Sequence, residues 1–192
     1  MALLGGFLDS LTSAGERAEA ADERLESVAS VSSATLRSPP TVETVAEVNE
    51  HADTGDPILV PVVTCPLDTE SQPPMDAVFR YVAAVCDRLR AVYADDHVRQ
   101  FDVRFEFGPD RLVRSRECRR VTVPPELAEK LADPGYDHSD LGADLEDGDD
   151  GDSVTPPVVW GECVSYTSGN AAAAGAATAA GAGGCGGAGG GC

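Results

Sequence analysis

The 192-residue chain carries 33 Asp and Glu against 14 Lys and Arg, a formal net charge of −19, and Lys130 is its one lysine. Such a surface repels itself in dilute buffer and is relieved in molar salt, where the Debye length falls to about 3 Å. It also speaks against binding driven by phosphate neutralisation, so nucleic acid and anionic membranes are not expected partners.

Many carboxylates with almost no lysine resemble the proteome style of salt-in halophilic microbes, and the acidity is read first as adaptation to solvent. No stretch approaches the roughly 18 apolar residues of a membrane span, and no basic region precedes the short apolar run Ala2–Leu8. A cytoplasmic protein is expected. On that reading the six cysteines, Cys65, Cys86, Cys118, Cys163, Cys185 and Cys192, are free thiols, with disulfides the minority alternative.

Residues 1–37 predict an amphipathic helix, because Leu4, Phe7, Leu11, Ala14, Ala18, Ala21, Leu25 and Val28 alternate spacings of three and four. It either lies on the domain or drives self-association; the alanine-rich middle of the seam favours the first. Ser38–Pro40 breaks it, and residues 38–56 read as a linker with a short helix, capped by Thr41, through Val42, Val45, Ala46 and Asn49.

Residues 57–167 predict an α+β domain. Ile58–Cys65 is a buried-strand signal, although Pro61 argues for an edge or a late start of pairing. Met75, Val78, Phe79, Val82, Val85, Cys86, Leu89, Val92 and Tyr93 define one helical face running to about Asp96, with Pro73 and Pro74 at its start. Phe101, Val103, Phe105 and Phe107 alternate with Gln100, Asp102, Arg104 and Glu106, and a Gly-Pro-Asp turn leads into a second strand. A short helix over 124–133, an acidic loop over 134–156 and a strand over Pro157–Thr167 complete the order β-α-β-β-α-β. A ferredoxin-like sheet is the first guess from that order, and an open meander is the alternative.

No pair of cysteines has the close spacing of a legible zinc site, and neither a metal nor a cofactor is expected. A site assembled from Cys65, Cys118 and His97 ranks behind packing thiols. The acids of 144–152 fit no EF-hand register. Phosphate-loop, nucleophile-elbow and zinc-protease motifs are absent, no catalytic residue is nominated, and Cys65 lacks a visible base. An enzyme is the less favoured class, and a thiol-dependent enzyme or metal-binding protein stays a third alternative.

The most suggestive feature is a cluster of arginines, Arg111, Arg114, Arg116, Arg119 and Arg120, with Arg104 on the neighbouring strand. They either balance nearby carboxylates or offer a surface to an acidic protein partner. An RNA-binding sheet would want exposed aromatics, and the phenylalanines share the apolar face.

From residue 168 the sequence is almost wholly Gly and Ala, with Cys185 and Cys192, and low complexity of this kind predicts disorder. A folded body before a Gly- and Cys-rich tail resembles thiazole-forming peptide precursors, which implies tail cysteines cyclised onto the backbone. The expected function is therefore a non-enzymatic accessory or interaction protein, with a modified-tail precursor or carrier as the alternative.

Overall fold

The structure, a computed structural model, describes residues 15–31, 33–109, 116–149 and 156–166. Among them lie four helices and a mixed sheet of six strands, an α+β fold. The elements are α1 (15–25), β1 (Thr41–Glu50), β2 (Pro57–Pro66), α2 (Met75–Val92), β3 (His97–Val98) and β4 (Phe101–Phe107). β5 (Glu117–Val123), α3 (Pro125–Lys130), α4 (His138–Asp149) and β6 (Val158–Glu162) complete the chain order.

The sheet runs β1-β2-β4-β5-β6, with β3 beside β2 where β4 has not yet begun. β2 and β4 are parallel and joined across α2, and every other neighbouring pair on that path is antiparallel. The strands and helices expected within residues 57–167 are present, with α4 in addition, but the strand order is sequential. A ferredoxin-like sheet interleaves its two βαβ halves, so that first guess is replaced by this simpler path.

Residues 41–50 are strand, not the expected short helix, and pair along β2. The helix-like spacing of their apolar residues comes from two register shifts in β1, between Val42 and Thr44 and between Glu47 and Asn49. Each shift upsets the alternation of faces. Val42 and Val45, three apart, therefore meet the same core cluster while Val48 joins another, which imitates helical spacing. The hairpin closes through Gly55 at φ 76°, with its N–H donating to the His51 carbonyl.

Pro61 sits inside the sheet, not on an edge. Leu59 accepts a hydrogen bond from Arg99 N–H on the β3 side, and two residues on Pro61 faces that same side. β4 pairing starts only at Val62, so the missing donor falls at the interruption between β3 and β4.

One face of the sheet carries Val63, Cys65, Val103, Phe105, Val121 and Val123 against the helices, which also bury Ala21 and Leu25 of α1. α1 ends near residue 25, short of the expected 37, and residues 35–37 are stitched to the end of β2 and the chain just after it. Val31 N–H donates to Tyr81 Oη, Arg37 N–H to the Pro66 carbonyl, and Asp22 Oδ1 accepts from Val42 N–H. The described part of the N-terminal helix thus lies on the domain; the part before residue 15 is outside the described residues.

The expected acidic loop contains α4. Leu141 and Leu145, four apart, are fully buried against α2, and Asp137 at the start of the helix accepts from the N–H of Ser139. The hydrogen bond from the Ser139 hydroxyl, and next this one from its N–H, hold the Asp137 carboxyl below its ordinary pKa. Gly142 permits the close approach, since a β-carbon there would stand 2.7 Å from Phe79 Cδ2. Leu145→Ala is expected to cost about 2–5 kcal/mol in denaturant unfolding, whereas a solvated loop would tolerate the change. Gly142→Ala is expected to lower Tm as well, because displacement of the Phe79 ring outweighs the roughly 1 kcal/mol that alanine gains in helix propensity.

Candidate functional site

The second face of the sheet holds an unusual concentration of buried charge. The alternation of β4 that sends Phe101, Val103, Phe105 and Phe107 into the helical core sends Asp102 and Arg104 the other way. In the β4–β5 register Arg104 stands opposite Arg120, and Asp102 opposite Thr122. Asp102 is 0% exposed and Arg120 4%. Two like charges face to face across a ladder repel. Here Asp102 compensates them: its Oδ2 accepts from Arg120 Nη1 at 3.3 Å, and its Oδ1 lies 3.6 Å from Arg104 Nε. Arg104 Nη1 also donates to Glu43 Oε2 at 2.9 Å, an oxygen that accepts from Thr64 Oγ1 as well.

The remaining contacts come from the segment after β6. Tyr166 Oη donates to Asp102 Oδ2 at 2.7 Å and accepts from Gln100 Nε2 and Arg120 Nη1, each at 3.0 Å. Its ring packs on the small apolar cluster Val48, Val60 and Val62. The Arg104 guanidinium carbon lies 6.0 Å from the ring centroid. Arg104 Nη2 donates to the Val164 carbonyl at 2.5 Å. Cys163, three residues before Tyr166, is joined by a disulfide to Cys118 on β5, with the Cα atoms 5.7 Å apart. Burial, and next the Asp102 charge beside it, push the Tyr166 phenol above its ordinary pKa. The hydroxyl therefore stays protonated and available as a donor at neutral pH.

The disulfide corrects the expectation of free thiols for Cys118 and Cys163. β5 and β6 are adjacent strands, with Arg119 opposite Glu162, so the residues flanking that pair come close enough to bond. Cys65 and Cys86 are free, fully buried, and raised in pKa by that burial, so they remain protonated thiols. The site imagined from Cys65, Cys118 and His97 is not assembled, because Cys118 is spent in the disulfide and Cys65 lies inside the helical core. Among the described residues no group of three or more metal-ligating side chains is placed to hold an ion. His97 instead stacks on His51, ring centroids 4.1 Å apart, and His138 meets Asp76 at 3.2 Å.

The arginines find internal acceptors wherever they are described. Arg104 and Arg120 belong to the network, Arg116 Nη2 donates to the carbonyls of Leu67 and Glu106, and the part-exposed Arg119 pairs with Glu117 at 2.7 Å. Arg111, Arg114, Cys185 and Cys192 lie outside the described residues. The parity that groups Gln100 and Asp102 with Arg104 is visible in the sequence; the role of Asp102 as counter-ion to Arg104 and Arg120, and the arrival of Glu43 and Tyr166 from far along the chain, are what sequence reading missed. Asp102 alone left a trace, as an acid between Phe101 and Val103 on an alternating strand.

Comparison with protein-family models, with curated proteins and with solved structures finds no match for this chain, so the site is read from its geometry.

Asp102→Ala strips both guanidinium groups of their buried counter-ion and is expected to cost about 3–5 kcal/mol in unfolding free energy. Tyr166→Phe, which leaves Asp102 Oδ2 with one donor fewer, is expected to cost about 1–3 kcal/mol. The pH dependence has a definite sign. The folded protein holds the Tyr166 proton more tightly than the unfolded chain, whose phenol titrates near 10.0. Stability from this group is complete below that pH and declines as the pH rises beyond it. The wild-type loss of stability between pH 9 and 11, compared with that of Tyr166→Phe, should therefore be the steeper.

Proposed function

We propose that this chain is a non-enzymatic accessory protein, acting through interaction, whose α+β body holds the chain beyond Tyr166. The observation that carries the reading is the convergence on Cys163–Tyr166: one disulfide, a guanidinium on the Val164 carbonyl, and three polar partners on one phenol. A body that fixes the root of a segment so firmly gives the rest of the chain a defined point of departure. That remainder, residues 167–192, is Gly and Ala with few other side chains, and its distinctive chemical groups are the thiols of Cys185 and Cys192. This supports the carrier form of the reading, in which those thiols receive a modification or a partner.

A catalytic use of the network is less favoured. Its charged groups are turned on one another, the phenol is held protonated, and both free thiols of the core are sealed from solvent. The arginine surface remains in the proposal in reduced form. Arg104, Arg116 and Arg120 point to internal acceptors, which leaves Arg119 with Arg111 and Arg114 as the candidates for an acidic protein partner. Among the described residues no helix is long and apolar enough to cross a membrane. A cytoplasmic, salt-adapted setting fits the acidity, and it places Cys118–Cys163 against a pool of reducing thiols.

The test is the mass of the protein isolated from its own source in high salt, measured intact and then as peptides after reduction. The reading expects a mass change, or a covalently attached partner, confined to the peptide bearing Cys185 and Cys192. Unmodified tail thiols together with a monomeric native mass would sink it.

A further inference from the structure

We propose that Cys118–Cys163 is a redox latch: a dithiol reductant opens it, and the Cys163–Tyr166 segment then leaves the second face of the sheet. The inference rests on the proposed role of that face as the holder of the segment, and it names how the hold is regulated.

The segment is attached in two chemically independent ways, and the geometry points to the covalent one as decisive. The ladder of β6 ends at Glu162, so residues 163–166 belong to no strand. The polar attachment is incomplete: with the segment seated, Asp102 Oδ1, Arg104 Nε and Arg120 Nε are buried without a hydrogen-bond partner. Each is a charged-group atom that loses water and receives no full replacement, and release of the segment gives that water back. The noncovalent contacts thus work against a desolvation cost of their own, and the disulfide tips the balance. Both sulfurs belong to part-exposed residues, within reach of an attacking thiolate. The other two described cysteines are fully buried and cannot trade places with them.

In the opening step one thiolate of the dithiol attacks a sulfur of the pair and forms a mixed disulfide, and the second thiol resolves it. The dithiol loses two electrons and two protons and becomes a disulfide, while Cys118 and Cys163 each gain one of both and become thiols.

Tyr166 supplies the readout. Full-length protein in high salt is exposed to chymotrypsin with either oxidised or reduced dithiothreitol, and cleavage after Tyr166 is followed by mass beside the far-ultraviolet circular dichroism. Reduction should speed that cleavage roughly tenfold or more with the dichroism unchanged, since proteolysis follows the population of the open form. The Cys118→Ser/Cys163→Ser variant should show the fast rate with or without reductant. Unchanged cleavage on reduction overturns the latch, because the polar network then holds the segment alone. Loss of the dichroism on reduction also overturns it and makes the bond a staple of the whole fold. Neither result touches the tail masses that decide the carrier reading, so the two proposals fail separately.

Discussion

A single carboxylate lets the sheet have two kinds of face. Asp102 has no exposed surface, and around it close two guanidinium groups and a phenol. Without it, Arg104 and Arg120 would oppose each other across the β4–β5 ladder with only Glu43, on the outer strand, to offset them. Buried ion pairs of this sort seldom add net stability, because desolvation consumes what attraction supplies. What they impose is position. Asp102 reaches the phenol only when the chain after β6 crosses back over the sheet, so the network selects one path for residues 163–166 among the many that an apolar face would accept.

The other face obeys ordinary rules, and its order makes the polar face possible. β4 lies between β2 and β5, and its aromatic residues are locked beneath α2 and beside Trp160, whose ring stands 5.9 Å from Phe105 and 6.1 Å from Phe107. Because side chains alternate along a strand, burial of the phenylalanines fixes the direction of Asp102 and Arg104 without any choice of their own. A slip of one residue would drive two charges into the helical core. The hydrophobic layer therefore pins the register, and the register delivers the charges.

Several parts of this arrangement can be read along the chain. The face of α2 is written in the spacing from Met75 to Tyr93, and the alternation of β4 in a run of four aromatic or β-branched residues. Other parts are hidden for identifiable reasons. β1 imitates a helix because its two bulges reset the alternation, and α4 is masked by carboxylates that crowd around one buried leucine pair. The pairing of Cys118 with Cys163 has no local signature, since their separation of 45 residues is closed only when β6 lies beside β5.

The sequence by itself determined the α+β class, the strongly acidic composition, the core faces of α2 and β4, and the shared parity of Gln100 and Arg104. These depend on periods of 3.6 and 2 and on composition, which are properties of neighbouring residues. Tertiary structure alone decided the sequential strand order, the incorporation of β1, the disulfide, and the meeting of Glu43, Asp102, Arg120 and Tyr166. Each of these joins residues far apart in the chain, and whether they meet depends on which strands become neighbours. A charged residue does not carry in its own surroundings along the chain the partner that will make its burial tolerable.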